Sequence, residues 1–400
     1  MEARPIPLFH KFSGEVTVKI CIIHNFYRSG DLSGENIVVM KQIEALKSAG
    51  HEIQLISNEI GMGLKSIFKL LSIVFSWALN TGRDPVREIK SGTEIVLVHN
   101  LYPGFSSRNF AKIDIPIVYW LHNYRLFCIA NTFNFRGLQC ELCLPKPKVI
   151  ALLRRCHDDH PIKSLVSFIR LKLRVNAVEY YIPKFYVTLS QLSFHQLKKT
   201  SIPLDKIKVI PNFVDANNKM CLPQDKWIFI GRLSSEKGIF NLIKNLPSEI
   251  HLDIFGDGPL REDLELSLQD RPNINLMGTR SNSELLELLP SYLGAFIPSL
   301  WTEGIPTTFL EYCAAGVPVI GLNNNSAALY ISEYECGVVL ESLTENNIST
   351  AAKMILSDRL MYSQNAKLLW ANMFSESEWI KNMSKLFQIV GLKENSDEKL

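Results

Sequence analysis

Nothing in these 400 residues reads as a membrane span. The most apolar stretch, Ile67–Leu79, is broken by Lys69 and falls short of the roughly 20 apolar residues a bilayer needs, so a buried or interfacial helix is expected there. Met1–Gly14 has no apolar core, so no signal peptide is expected, and the eight cysteines are expected to be reduced thiols in the cytoplasm. Charge of one sign is scarce too: a net +3 gives no reason to invoke nucleic acid. There is no Asp-x-Asp pair, the arrangement that holds a divalent cation on a diphosphate.

What the chain does contain describes a globular α/β protein. Hydrophobic residues make up 46% and charged residues 21%, and 400 residues exceed what one core organises. Short apolar runs alternate with helical stretches. In the first half they are Val18–His24, Glu52–Ser57, Glu94–His99, Ile115–Leu121 and Phe185–Ser190; in the second, Lys206–Pro211, Lys226–Gly231, Glu249–Phe255, Asn273–Met277 and Leu293–Ile297. That rhythm predicts doubly wound parallel sheets. The expected division is 1–204, 205–376, and a last segment 377–400 that ends in charged residues.

Pro298–Pro318 is the stretch around which the rest is organised. An apolar strand feeds a turn-rich loop, Pro306 opens a helix, and Gly316 with Pro318 stops it. The amides of Thr307 and Thr308 fall in the first turn, where no helical partner exists, which makes an anion site. Glu303 and Glu311, eight residues apart, could accept hydrogen bonds from sugar hydroxyls; an ordinary β-loop-α unit with solvated glutamates is the plain alternative. Two further strand-end loops suit the same ligand. Arg232 and Lys237 are five apart, and Gly256 and Gly258 let backbone come close. Together these groups suit a nucleotide diphosphate sugar, bound without a metal ion. In the first half, His122 and Arg125 follow a strand end, where ligands of open parallel sheets are met; a histidine that merely caps the strand is the alternative.

The segments GRLSSEKGI, FGDGPL and PSLWTEGIPTTFLEYCAAGVPVI resemble the signatures of glycosyltransferase family 4, which has the GT-B fold of two Rossmann-like domains around a cleft. HNYRLFC, CELC, YRSGDLSGENIVV and FSESEW resemble a bacterial polysaccharide-assembly branch of it, of the lipopolysaccharide, O-antigen or capsule type. The resemblance implies a retaining transfer to a saccharide acceptor. Arg232 and Lys237 would bind the donor diphosphate and Glu311 the ribose. Glu303 and the backbone of Gly304, Ile305, Pro306, Thr307 and Thr308 would bind sugar and phosphate. His122 would sit at the reaction centre, and Gly34 with its loop would lie over the phosphates. The leaving phosphate would act as base, so no cofactor is required, and the last helices would cross back onto the first domain. Asn323–Ala328 departs from the family's Gly-Gly and acidic pattern. A nucleotide-sugar epimerase on the same fold, or a sugar-binding protein without activity, are the rival readings.

Two features lie outside that scheme. Cys128, Cys140, Cys143 and Cys156 are spaced C-x11-C-x2-C-x12-C, the ligand count of a structural zinc site, although buried or redox-active thiols would look the same. The Lys146–Lys199 region is rich in cations, and Ile162–Tyr181 reads as a basic amphipathic helix. That helix suggests a peripheral contact with the inner membrane face and a lipid-linked acceptor; a solvated helix face is the alternative.

Overall fold

The computed structural model describes residues 17–26, 34–59, 75, 79–102, 104–135, 138–144, 147–174, 182–217, 221–301 and 304–392. Most of Ile67–Leu79, the loop ahead of Gly34, Glu303 and Lys393–Leu400 lie outside them.

The first half runs β1 (Lys19–Phe26), α1 (Gly34–Ser48), β2 (Glu52–Glu59), β3 (Ile95–Asn100), β4 (Ile117–Leu121), β5 (Asn134–Phe135), β6 (Leu138–Gln139), α2 (Ile150–Leu153), α3 (Pro161–Arg174), β7 (Phe185–Thr188), α4 (Gln191–Leu197) and β8 (Ile207–Val209). Six of these strands form one parallel sheet in the order β2-β1-β3-β4-β7-β8, and β5 with β6 makes a small separate hairpin. Every residue of β3 and β4 is buried, as helices on both faces of a parallel sheet require.

The second half runs β9 (Trp227–Ile230), α5 (Ile239–Asn245), β10 (Leu252–Phe255), α6 (Arg261–Ser267), β11 (Ile274–Gly278), α7 (Asn282–Leu288), β12 (Gly294–Ile297), α8 (Thr307–Ala315), β13 (Val319–Leu322), α9 (Ala327–Glu333), β14 (Gly337–Leu340), α10 (Glu345–Ser357), α11 (Arg359–Leu369) and α12 (Glu376–Val390). Its sheet is also parallel, in the order β11-β10-β9-β12-β13-β14. Strand order reverses between β1 and β3 in one sheet and between β9 and β12 in the other. Loops diverge at such points and leave a crevice beyond the strand ends.

Two sequence expectations change here. A second domain beginning at residue 205 is not what the strands show, because Ile207–Val209 pairs with β7 as the last strand of the first sheet. A short apolar run carries no label for the sheet it joins. The basic helix is also less one-sided than its charges suggested: Arg170 is only 1% exposed and so points inward, while Lys163 and Lys172 are exposed.

The final helix joins the two halves. Trp379 on α12 packs on Trp120 of β4, with ring centroids 6.1 Å apart, and on Phe213 at 5.1 Å. Further along α12, Phe387 meets the edge of His51. A π-helical turn, Trp370–Phe374, feeds this crossing, and its Phe374 carbonyl accepts from the Val214 amide at 3.0 Å. The Lys41 ammonium meets Asp215 at 2.6 Å, and Gln42 donates to Asn212 at 3.3 Å.

Candidate active site

Beyond β9 the chain turns through exposed Arg232 and half-buried Lys237 to Gly238, whose φ of 71° starts α5. This loop is knit to the one after β10. The Gly231 amide donates to Phe255, Leu233 to Asp257, and Leu260 back to Leu233, at 2.9–3.0 Å. A Cβ at Gly256 would lie 1.9 Å from the Gly231 carbonyl oxygen, and one at Gly258 would lie 2.4 Å from that of Leu233. The close approach these glycines allow is therefore to a neighbouring loop, which fixes the Arg232 backbone.

Helix α8 begins at Pro306, whose backbone is extended, and no side chain caps its first turn. The half-buried Thr307 and Thr308 occupy that turn. One turn on, Glu311 is buried and accepts from Asn282 Nδ2 at 2.7 Å. Burial raises its pKa, with the Asn282 bond and the Lys41 charge opposing. Next to it, the Tyr312 hydroxyl accepts from the Ile230 amide at 3.0 Å, which ties α8 to the end of β9. Glu303 falls outside the described residues.

The first domain closes over this helix start. A Cβ at Gly34 would be 3.7 Å from Thr307 Oγ1, and one at Gly304 would be 3.7 Å from the His122 carbonyl oxygen. Three histidines stand at the ends of adjacent strands: His24 on β1, His99 on β3 and His122 just after β4. His99 Nδ1 lies 2.9 Å from His122 Nε2, and the rings stack. His24 Nε2 donates to Asn36 Oδ1 at 3.1 Å. Burial holds all three neutral, pushing His24 down to about 4 and His122 to about 3, with His99 well below its ordinary value. Glu35, at the start of α1, is pushed up to about 7 by burial against the opposing charge of Arg125. Arg125 donates to Asn100 Oδ1 at 3.2 Å and lies over the Tyr102 ring. His99, Asn100, Tyr102, His122 and Arg125 line one pocket on this side.

Residues 218–368 match the glycosyl transferases group 1 family. The match lies within the second half of the chain. The protein is a glycosyltransferase with the two Rossmann-like domains of the GT-B fold. No curated protein matches it in sequence. Among solved structures it is similar to a sucrose-phosphate synthase from Thermosynechococcus elongatus, at 14% identity and TM-score 0.63, covering 93% of this chain and 99% of that one. It is similar to WaaG, a glycosyltransferase involved in lipopolysaccharide biosynthesis, at 14% identity and TM-score 0.60, covering 93% and 100%. It is also similar to Anabaena Alr3699/HepE in complex with UDP-glucose, at 13% and 0.59, covering 93% and 99%. At such identities the likeness is one of fold.

The contacts around this site also involve several residues that the sequence did not single out. His24 and His99 carry the same strand-end signal as His122. Asn282 gave none, because it sits 29 residues from Glu311 on another helix. Asn325, in the segment that departs from the family pattern, accepts from the Ala327 and Ala328 amides and so starts α9.

Proposed function

We propose that the protein moves a sugar, with retention and without a metal ion, from a nucleotide diphosphate sugar to a hydroxyl of a lipid-linked saccharide. Cell-surface polysaccharide assembly is the process this would serve. The observation that carries the reading is the uncapped start of α8, with buried Glu311 one turn along and Gly34 of the other domain against Thr307. An anion is favoured at a helix start, and a carboxylate in the next turn suits a ribose. As the bond from C1 to the diphosphate oxygen breaks, charge grows on the phosphate, where Arg232, Lys237 and the helix amides offset it. That phosphate oxygen takes the proton of the acceptor hydroxyl, whose oxygen bonds to C1 on the same face. His122, held neutral, serves as a hydrogen-bonding group toward the sugar.

The acceptor's lipid is argued from the first domain's surface. Leu153 is 77% exposed, and Val149, Ile162 and Leu165 are exposed as well, among Arg154, Arg155, Lys163 and Lys172. Apolar side chains rimmed by cations suit an anionic membrane face. The contact we propose is peripheral and on the cytoplasmic face; no helix among the described residues is long and apolar enough to cross a membrane. Flotation with anionic vesicles at low salt tests this part; protein left wholly in the soluble fraction would refute it.

The donor site is tested by thermal shift with UDP, GDP, ADP and dTDP in chelator, on wild type, Arg232→Ala and Glu311→Ala. Stabilisation by one nucleotide, lost in both variants, is expected; a ligand at about 100 times its Kd adds about 2.7 kcal/mol. Folded protein that responds to none of them would overturn the assignment. Conversion of a donor with no acceptor present would indicate an epimerase instead.

A further inference from the structure

The glycosyl-transfer reading leaves one side-chain cluster without a role. Cys128, Cys140, Cys143 and Cys156 come from separate turns of the excursion between β4 and β7, yet all four line one pocket, with Ile129, Phe135 and Ala151 between them. None is in a disulfide. The segment that carries them has little regular structure, namely the two-residue strands β5 and β6 and the four-residue α2. Its own buried cluster is small: Ile129, Cys143, Ala151, Phe168 and Leu171. So thin a core calls for a cross-link of some kind.

The backbone around the thiols is arranged in an unusual way. Of the seven non-glycine residues with positive φ among the described residues, five lie between Asn131 and Asp159. Asn131 and Phe133 follow Cys128, and Arg155 precedes Cys156. Left-handed backbone at such residues costs about 1–3 kcal/mol each and persists where the surroundings enforce it. One consequence is that backbone amides at Ala130, Thr132 and Phe133 favour charge on the Cys128 sulfur, and those at Ile129 and Lys148 favour it on Cys143. Lys148 and Arg154 add positive charge beside Cys143 and Cys156. Amides and cations around clustered sulfurs are what a metal thiolate needs from its surroundings.

We propose that Cys128, Cys140, Cys143 and Cys156 bind one thiophilic divalent cation of the zinc type, as a structural site. Among the described residues no three His, Cys, Asp or Glu side chains already stand as a metal-binding group. Binding therefore requires the thiols to draw together, and Cys140 and Cys156 are only half-buried. Four thiols give up their protons to the solvent as the ion enters, so affinity rises with pH. The site also reaches the reaction centre. The Cys128 and Phe127 amides donate to the Tyr124 carbonyl at 2.8 and 2.9 Å, and the Tyr124 amide donates to Asn131. A cross-link at Cys128 thus steadies the turn that presents His122 and Arg125.

The test is metal analysis of full-length protein purified without chelator, with any affinity tag removed, for wild type and Cys140→Ser/Cys143→Ser. About one zinc per chain in the wild type and none in the double variant is expected. Exchange of the wild type into cobalt should give thiolate-to-cobalt charge-transfer absorption with tetrahedral bands, a readout that stands even if the variant fails to fold. Folded wild type that contains no zinc and shows no cobalt–thiolate absorption would overturn the proposal. Iron with labile sulfide in place of zinc would overturn it as well.

Discussion

His99 Nδ1 and His122 Nε2 are 2.9 Å apart, and both rings are held neutral by burial. A single proton therefore lies between the two nitrogens. Whichever ring carries it, the tautomer of His122, and so the face it offers the cleft, depends on His99. Replacing His99 by Asn is expected to lower kcat by about 10–100-fold while leaving KM within about twofold, because binding survives and orientation does not. Steady-state kinetics with both substrates checks this. A rise in KM alone would show that His99 only shapes binding.

Acid should unfold this protein early. His24, His99 and His122 titrate in the unfolded chain near 6.5 but far lower in the fold. Between those values the unfolded state binds more protons, so stability is full above about pH 6.5 and falls as the pH drops. Each such histidine costs about 1.4 kcal/mol per pH unit. Glu35 works the other way, since its folded value near 7 makes stability fall as the pH rises from 4.5 toward 7. Glu311 and Glu376, also raised by burial, act as Glu35 does, while His51 and His157, also lowered, act as the three histidines do. The histidines outweigh the carboxyls, and a net loss on the order of 2 kcal/mol is expected between pH 6.5 and 5.5. Urea titrations at the two values measure it. Glu35→Gln should steepen the loss.

The bond from Asn282 to Glu311 at 2.7 Å holds a buried carboxylate in place. Glu311→Ala is expected to weaken nucleotide binding by about 1–3 kcal/mol, as a lost pocket contact does. Asn282→Ala, which leaves Glu311 present but unheld, should weaken it by less. Calorimetric titration with the nucleotide found by thermal shift separates the two.

Gly256→Ala should destabilise the protein whether or not nucleotide is present. The added Cβ meets the Gly231 carbonyl at 1.9 Å, and the φ of 139° is strained for any other residue. A loss on the order of 2–4 kcal/mol is expected. Equal loss with and without nucleotide in chemical denaturation supports a role in loop packing. A loss seen only in binding would instead mean that Gly256 faces the ligand.

The chain by itself determined the alternation of strands and helices, because buried parallel strands and their cover helices write opposite periodicities into local sequence. It also determined the bounds of α8, since Pro306 and Gly316 act on backbone geometry within a residue or two. Tertiary structure decided what depends on distant partners. The pairing of Ile207–Val209 with the first sheet, the neutrality of three histidines and the contact of Asn282 with Glu311 all rest on residues far apart in the chain. The same holds for Gly256, whose need to be glycine arises from the carbonyl of Gly231 in another loop. Local sequence records what a residue prefers; burial and close approach are set by which segments the fold brings beside it.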